Sequence, residues 1–374
     1  MKFLIAIGRL ILNGIYDFHK LCPVKNQVVI ISRQSDEPSL DIRLLAKELE
    51  SRQDIQVKVL CRTLGGGLFS KIKYLFHMIG PQMRAMATSK VVVLDSYCIA
   101  ASILRHRKGL SIIQMWHAMG GFKKFGYSIL DQGEGSQAWL AEAMRMHKNY
   151  TCVLASSEES VRFLGEAFGY DRDVFKILPL PRTDLLRDPD YMERKAQEIK
   201  AAIPSLSQAK KTILYAPTFR KTQQGKEGVL ELVNAVNYEA YDLVAALHPL
   251  MDQEQLPEKV ITTDRFSTME LLSVCDYFIT DYSAMIYEAA LAEKPIFLYA
   301  YDLRDYTSNR GFYIDYEKDL PGETHTDARE LVKAIETDQY DLREVRAFAQ
   351  RYVAVGGQCA QRLADLICEQ AKAI

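Results

Sequence analysis

The first 22 residues of the 374-residue chain place apolar and polar side chains with the period of a helix. Apolar side chains collect on one side and polar or basic ones on the other, which predicts an amphipathic helix. The apolar positions are Phe3, Ile7, Leu10, Ile11, Ile15, Phe18 and Cys22, and the polar positions are Lys2, Arg9, Asn13, Asp17 and Lys20. The stretch supplies too few apolar residues to span a membrane, which takes about 20 of them.

A second amphipathic segment follows at residues 68–87. Its apolar positions are Leu68, Phe69, Ile72, Leu75, Phe76 and Ile79, its basic ones are Lys71, Lys73 and Arg84, and residues 62–94 contain no acidic side chain. Such helices commonly lie in the lipid interface, with the apolar face down and the cations toward anionic headgroups. Periodicity alone leaves open the alternative that both helices pack against the core of a domain.

From residue 27 onward, short buried strands alternate with helices. Strands are predicted at 28–32, 55–61, 91–94, 111–115, 152–155, 212–215, 242–246, 260–262, 277–279 and 295–299, and helices include 40–52, 270–274 and 285–292. This alternation is typical of parallel sheets covered by helices on both faces. The sequence therefore predicts an α/β protein.

A charged, helix-forming stretch at residues 188–211 separates the two groups of strands and predicts the domain boundary. We expect an amphipathic membrane-associating helix at 1–25, a Rossmann-like domain at 26–195 with a membrane-facing segment at 68–87, a second Rossmann-like domain at 196–350, and a C-terminal helix at 351–374 that packs back on the first domain. Two such domains facing each other across a cleft would bind a ligand at the carboxyl ends of their strands.

Charge is divided unevenly along the chain, although the formal net charge is only −1. Residues 1–130 carry 19 basic and 8 acidic side chains, whereas residues 131–374 carry 28 basic and 40 acidic ones. The first third is therefore expected to meet something anionic, such as a membrane surface, a phosphorylated acceptor or nucleic acid. Composition excludes a disordered chain, a collagen and a small disulfide scaffold.

The first candidate for chemistry is His117, which follows the predicted strand 111–115. Gly120 and Gly121 and then Lys123 and Lys124 come directly after it. A histidine at a strand end beside cations suits a general base that acts on a hydroxyl close to a phosphoryl group. The alternative is a structural histidine.

Strand ends of the second half carry two further sets of polar residues. Thr218 and Arg220 follow the strand 212–215, and arginine suits bidentate phosphate contact. His248, before a proline, could stabilise a departing phosphate, although a structural role is an equal alternative.

Two helix starts could also bind phosphate through free backbone N–H groups. Asp281 or Ser283 would cap one helix, and Ser267 and Thr268 begin the other with a capping box to Glu270. Capping alone needs no ligand, but two such helix starts favour a phosphorylated donor.

Several well-known sequence motifs of nucleotide-binding and hydrolytic enzymes are absent from the sequence. It contains no G-x-x-x-x-G-K-[ST], no G-x-G-x-x-G after a strand, no H-E-x-x-H and no G-x-S-x-G. The seven cysteines are scattered and include no C-x-x-C pair, which is typical of a reduced protein without a structural zinc site. The sequence predicts neither a metal nor a cofactor.

Six motifs, taken in order, resemble those of the CDP-glycerol glycerophosphotransferase family, the teichoic acid primases and polymerases. They are Trp116-His117 with Lys123-Lys124-Phe125-Gly126, Leu180-Pro181-Arg182-Thr183-Asp184, Tyr215-Ala216-Pro217-Thr218-Phe219-Arg220, His248-Pro249, Thr280-Asp281-Tyr282-Ser283 and Arg310-Gly311-Phe312-Tyr313. The resemblance implies a GT-B-like pair of Rossmann-like domains that moves a polyol phosphate from a CDP-polyol to an acceptor hydroxyl and releases CMP.

The resemblance also implies roles for individual residues. His117 and His248 match the two functionally important histidines. The donor or phosphate site would comprise Thr218, Arg220, Ser267, Thr268, Asp281, Ser283 and Arg310, with Lys123 and Lys124 on the acceptor side. The second domain would bind the CDP-polyol, and the first would receive the acceptor.

The implied partners are a CDP-polyol, a polyprenol-diphosphate-linked acceptor and an anionic membrane surface, with no nucleic acid, at the cytoplasmic face of the cell membrane. Two alternatives stay open at this point. One is a GT-B glycosyltransferase that uses a nucleotide sugar, and the other is a non-catalytic polyanion-binding protein.

Overall fold

The computed structural model describes residues 2–206, 209–218, 223–247, 256–354 and 356–373. The chain forms two compact units. Unit 1 comprises Met1–Met119, Lys124–Asp184 and Ala354–Ile374, and unit 2 comprises Gly120–Lys123 and Leu185–Val353. The chain thus enters unit 2 for four residues directly after Met119 and then returns to unit 1.

Unit 1 contains a six-stranded sheet whose neighbouring strands all pair in parallel, in the order β2-β1-β3-β4-β5-β6. The strands are β1 (Gln27–Ser32), β2 (Gln56–Cys61), β3 (Val91–Leu94), β4 (Ser111–Gln114), β5 (Cys152–Ala155) and β6 (Phe175–Ile177). Every residue of β3, β4 and β5 is buried. Burial on both faces explains why these strands are continuous runs of mostly apolar residues rather than alternating ones.

Helices α1 to α7 lie in unit 1, and α8 spans the boundary between the two units. They are α1 (Lys2–His19), α2 (Leu40–Glu50), α3 (Leu68–His77), α4 (Met83–Thr88), α5 (Ile99–Ile103), α6 (Ala138–Ala143), α7 (Glu158–Phe168) and α8 (Thr183–Leu186). The predicted helix 68–87 is interrupted by a π-helical turn at Met78–Gln82, which contains Pro81. Proline has no N–H to donate, so regular helical bonding cannot continue through this point.

Unit 2 contains a five-stranded sheet in the order β11-β10-β9-β7-β8, again parallel throughout. Its strands are β7 (Lys211–Ala216), β8 (Tyr241–Ala245), β9 (Tyr277–Thr280), β10 (Ile296–Tyr299) and β11 (Thr324–His325). Its helices are α9 (Pro189–Ala202), α10 (Gln223–Ala235), α11 (Thr268–Leu271), α12 (Met285–Leu291), α13 (Leu303–Asn309), α14 (Tyr316–Asp319), α15 (Ala328–Glu336) and α16 (Leu342–Tyr352). The prediction of an α/β protein with two parallel sheets is confirmed.

The last helix, α17 (Cys359–Lys372), belongs to unit 1 and packs against α2. Asp365 forms an ion pair with Arg52 at 2.9 Å, and Lys90 Nζ donates to the Ala371 carbonyl at 2.8 Å. The expected boundary at 195/196 falls inside α9, all of which lies in unit 2. The predicted strand 260–262 forms only an isolated bridge between Ile261 and Val244.

Helix α1 contacts the rest of unit 1 through polar residues together with the half-buried Leu12 and Ile15. Asn13 and Tyr16 are its buried residues. Asn13 accepts a hydrogen bond from the Arg105 backbone N–H at 2.8 Å, and Arg9 Nη1 donates to the Ala143 carbonyl at 3.0 Å. Most of its other apolar residues are exposed, including Phe3 (76%) and Phe18 (72%).

Helix α3 likewise leaves most of its apolar side chains exposed. Phe69 is 81% exposed, and Leu68, Ile72, Leu75 and Phe76 are also exposed, whereas Tyr74 is buried. The alternative that these two helices bury their apolar faces in a core is therefore wrong for most of the residues concerned. No helix in the described part of the chain combines the length and hydropathy needed to cross a membrane.

Gly126, which follows Lys123 and Lys124, has a backbone conformation and surroundings that suit only glycine. Its φ is +59°, and a Cβ atom there would collide with the Ala167 carbonyl oxygen. We expect Gly126→Ala to lower the free energy of unfolding by at least about 1–2 kcal/mol, because the left-handed backbone alone costs that much for alanine. Denaturant unfolding measures the change. The control is Gly66→Ala, whose Cβ meets no atom within 4 Å and whose effect should be near zero. Equal stabilities of the two variants would contradict the prediction.

Candidate functional site

The order of strands in unit 1 places a crevice at the carboxyl ends of β1 and β3. Strand β1 connects to β2 on one side and β3 connects to β4 on the other, so the two connections leave in opposite directions. Ligands of parallel α/β sheets bind at such points. The Arg33 backbone N–H donates to Ser96 Oγ at 3.1 Å and thereby joins the loops that follow β1 and β3.

His117 lies at this edge, three residues beyond β4. Its Nδ1 is 2.9 Å from the Asp95 carbonyl oxygen, and the Gln34 side-chain amide is 3.1 Å from the same nitrogen. The Asp95 carbonyl can only accept, so the shorter of the two contacts is a hydrogen bond when Nδ1 carries the proton. The Gln34 amide nitrogen can only donate and does not bond to Nδ1 in that tautomer, which leaves Nε2 with its lone pair in the neutral ring. No described residue forms a hydrogen bond with Nε2. The geometry therefore provides a neutral imidazole with an available basic nitrogen.

Electrostatics favours the same neutral state. Desolvation lowers the pKa of His117 below its ordinary value, and the positive charge of Arg182 lowers it further. The bond to the Asp95 carbonyl opposes this shift and is outweighed. A base that is neutral at neutral pH can accept a proton from a hydroxyl.

The residue before His117 has a strained backbone. Trp116 has φ of +64°, which is uncommon outside glycine, and its backbone N–H donates to Gln114 Oε1 at 3.0 Å. Its ring stacks on Phe125 with centroids 5.0 Å apart and lies 4.2 Å from the His117 ring. Packing of the indole thus helps to fix the direction of the imidazole.

The corresponding point of unit 2 lies between β7 and β9. Thr218 follows β7, Asp281 follows β9, and the Asp281 carboxylate accepts the Thr218 backbone N–H at 2.8 Å. Asp281 is buried and also accepts the N–H of Tyr282. The expectation that Asp281 caps the following helix is wrong, because its carboxylate instead joins two strand ends. The N-cap of α12 is Ala284, and Ser283 Oγ accepts the Met285 N–H at 3.3 Å.

The predicted capping box at Ser267 is confirmed. Ser267 Oγ accepts the Glu270 N–H, and the Glu270 carboxylate accepts the Ser267 N–H at 2.9 Å. Lys195 lies 3.2 Å from the same carboxylate. Capping therefore accounts for the side chain of Ser267, and phosphate binding by Ser267 and Thr268 stays a prediction.

Unit 2 also brings together two motifs that are far apart in sequence. Lys123 forms a β-bridge with Phe312, and the Tyr313 N–H donates to the Phe122 carbonyl at 2.8 Å. Arg310, at the C-terminal end of α13, is two residues from this bridge. Lys124 belongs to unit 1, so the two predicted acceptor-side lysines fall in different units.

Arg220 and His248 lie outside the residues that the structure describes. Sequence reasoning missed Asp95 and Asp41, and it assigned no role to Arg182. Asp95 could have been found, because it follows β3 as directly as polar residues follow the other strands. Within the described ranges, no group of three or more His, Cys, Asp or Glu residues is placed to hold a metal ion.

Two units, each with a parallel sheet and polar residues at its strand ends, define a two-domain α/β protein. Solved structures of the wall teichoic acid polymerase TagF have this fold, with a TM-score of 0.75, 20% identity, and coverage of 100% of this chain and 98% of that chain. Staphylococcus aureus MnaA has a TM-score of 0.59 at 13% identity, covering 93% of this chain and 97% of that one.

The sequence model of the family described as CDP-Glycerol:Poly(glycerophosphate) glycerophosphotransferase matches residues 15–369, and the chain belongs to this family. The teichoic acid ribitol-phosphate primase of Bacillus spizizenii is 33% identical, over 93% of this chain and 92% of that protein. The teichoic acid glycerol-phosphate primase of Bacillus subtilis is 30% identical, over 75% of this chain and 74% of that protein. The resemblance inferred from the six motifs is confirmed.

The protonation state of His117 can be measured directly. We expect a neutral ring with the proton on Nδ1 and a pKa below the ordinary histidine value of about 6.5, because desolvation disfavours the cation. Nitrogen-15 NMR of histidine-labelled protein reports both the tautomer and the titration. The His117→Gln variant assigns the signal. A proton on Nε2, or a pKa of about 7 or more, would contradict this prediction.

Proposed function

We propose that the protein transfers a polyol phosphate, either glycerol phosphate or ribitol phosphate, from a CDP-polyol to a hydroxyl of a lipid-linked teichoic acid or capsule precursor, and releases CMP. Family membership over residues 15–369 supports this reaction class. The observation that carries the proposal is the short contact between His117 Nδ1 and the Asp95 carbonyl, which favours the tautomer that leaves Nε2 available as a base.

In the proposed step, His117 Nε2 accepts the proton of the acceptor hydroxyl while that oxygen attacks the β-phosphorus of the CDP-polyol. A new P–O bond forms to the acceptor, the phosphoanhydride bond to CMP breaks, and CMP leaves with the electron pair. Positioning and charge stabilisation supply most of the catalysis in phosphoryl transfer. We assign activation of the acceptor to unit 1.

Donor binding is assigned to unit 2. The proposed contacts are Thr218, Ser267, Thr268, Asp281, Ser283 and Arg310, together with Arg220 and His248. Asp281 would act through Thr218, whose backbone N–H it holds, because a carboxylate does not itself attract a diphosphate. His248 and Arg220 would stabilise the charge on departing CMP, and Lys123 and Lys124 would attract the phosphorylated acceptor.

We also propose that the protein acts as a peripheral protein at the cytoplasmic face of the cell membrane. Polar residues of α1 bond to the rest of unit 1, and most of its apolar residues are exposed. Helix α3 exposes a second apolar face beside Lys71 and Lys73. Neighbouring exposed apolar side chains are unfavourable in water and suit the lipid interface, where lysines can meet anionic headgroups. The acceptor's polyprenol lipid would lie in the same membrane.

Replacing the proposed base tests the reaction. We expect His117→Ala to reduce transfer by about 10²–10⁴-fold, the usual contribution of a positioned base, while binding of the CDP-polyol persists. Mass spectrometry of a lipid-linked acceptor incubated with CDP-glycerol, CDP-ribitol or a nucleotide sugar measures transfer, and calorimetry measures binding. His325→Ala, a histidine of β11 that the proposal does not use, is the matched control.

The same donor panel separates the alternatives. Phosphate that travels with the product supports a polyol-phosphate transferase, whereas transfer of a sugar without phosphate would identify a glycosyltransferase. Salt-sensitive polyanion binding without turnover would contradict both enzymatic assignments.

Membrane association is tested with vesicles. We expect the wild-type protein to sediment with vesicles that contain anionic phospholipid, and Leu68→Asp combined with Phe69→Asp to abolish most of this binding, because charged side chains do not enter the lipid interface favourably. Tyr340→Asp, at an exposed aromatic residue of unit 2, is the control. Sedimentation that the α3 variant leaves unchanged would argue against an interfacial role for this helix.

A further inference from the structure

One motif of the sequence has no role in the proposed mechanism, the turn Pro181-Arg182-Thr183. Arg182 Nη2 donates to the His117 carbonyl oxygen at 3.0 Å. The next residue reaches the same loop, because Thr183 Oγ1 lies 3.9 Å from Met119 Sδ. Two consecutive residues of the turn therefore hold two positions of the loop that carries His117.

Arg182 is itself held by Asp41, in the first turn of α2. The Asp41 carboxylate accepts the Arg182 backbone N–H at 2.8 Å, and its second oxygen pairs with Nη1. The side chains are only 5% and 14% exposed for Asp41 and Arg182. A half-paired buried guanidinium would be costly, and a carboxylate in the first turn of a helix is favourable. The ion pair with Asp41 therefore holds the Arg182 guanidinium so that Nη2 points toward the His117 carbonyl oxygen.

His117 is consequently held on two sides. The Asp95 carbonyl accepts from its ring, and Arg182 donates to its backbone. Residues 117–119 are also the last that belong to unit 1 before Gly120–Lys123 pass into unit 2. Any displacement of those four residues would reach His117 along the chain if residues 117 and 119 were not anchored in unit 1.

We propose that Arg182 and Asp41 form a positioning pair that fixes the backbone of His117, and thereby the direction of Nε2, during transfer. This inference rests on the proposed function, in which His117 is the base. Neither residue is assigned a contact with substrate. Their effect is expected in the rate of the chemical step, because a displacement of about 1 Å in a reacting group can cost about 10²-fold in rate.

Three variants separate geometry from charge. Arg182→Lys keeps the positive charge but loses the fork that bonds to Asp41 and His117 together, whereas Arg182→Gln loses both. Asp41→Asn removes the carboxylate that orients Arg182. We expect each to reduce kcat by about 10–10²-fold, with KM for the CDP-polyol changed by less than about threefold, because donor binding is assigned to unit 2.

The pH profile provides a readout that a merely structural role would not change. Three charged or titratable residues lie near His117. Arg182, from the turn after β6, bonds to the His117 carbonyl and is paired with Asp41. Asp95, at the end of β3, accepts from the ring through its backbone carbonyl, and its carboxyl group is buried. A neutral base is active above its pKa. Arg182→Gln removes a positive charge that lowers this pKa, so the acid limb of kcat/KM should move to higher pH. Arg182→Lys should leave the limb in place while kcat falls.

Arg52→Gln is the matched control. Arg52, just beyond the end of α2, forms ion pairs with Glu48 at 3.0 Å and Asp365 at 2.9 Å in the same unit as Asp41, without contact to the His117 loop. Its kcat and pH profile should equal those of the wild type. Circular dichroism at the assay temperature shows whether each variant is folded, and the nitrogen-15 signal of His117 shows whether its tautomer persists.

The outcomes distinguish this inference from the proposed function. A wild-type protein that transfers nothing from any CDP-polyol would overturn the proposed function. Wild-type transfer that is lost in His117→Ala but retained by folded Arg182 and Asp41 variants would overturn only the positioning pair. A rise in KM at unchanged kcat would also overturn it. If the Arg182→Gln variant does not fold, the test rests on Arg182→Lys and Asp41→Asn, to which the same criteria apply.

Discussion

Parallel pairing is the constraint on which the candidate chemistry depends. It brings the carboxyl ends of all strands of a sheet to one edge, so residues from distant parts of the chain meet there. In unit 1 this edge joins the loops after β1, β3 and β4, and the bond from His117 Nδ1 to the Asp95 carbonyl is possible because β3 and β4 are neighbours. In unit 2 the same constraint joins Thr218 to Asp281.

Local signals explain which parts of this structure could be predicted from the sequence. Buried strands of four to six residues leave a continuous apolar pattern, and His117 could be found because it follows such a strand. The strands β6 and β11 were missed because three and two residues carry no pattern. The Arg182–Asp41 pair spans 141 residues, and no local rule connects two positions that far apart. Asp281 was misread for the same reason, since its partner Thr218 is 63 residues away.

Amphipathic periodicity identifies two sides of a helix but does not say which one meets the protein. On α1 that choice depends on polar groups, because Asn13 and Tyr16 find partners at Arg105 and His106. Most apolar side chains of α1 are exposed, whereas a helix that covers the core of a water-soluble protein buries its apolar side. The periodicity in the sequence marks an amphipathic helix, and only tertiary contacts show which of its residues meet the protein.

Tertiary contacts also change the meaning of the charge imbalance. Several cations of the basic first third are bound to backbone carbonyls: Arg9 donates to Ala143, Lys20 to Arg105, and Arg107 to Cys22. Such bonds orient the cation toward the protein and reduce what it can offer to an anionic partner. Lys71 and Lys73 of α3, by contrast, are exposed beside apolar residues. Composition thus gives the sign of the charge in the first third of the chain, whereas hydrogen bonds to carbonyls make its basic surface smaller than the count of basic residues suggests.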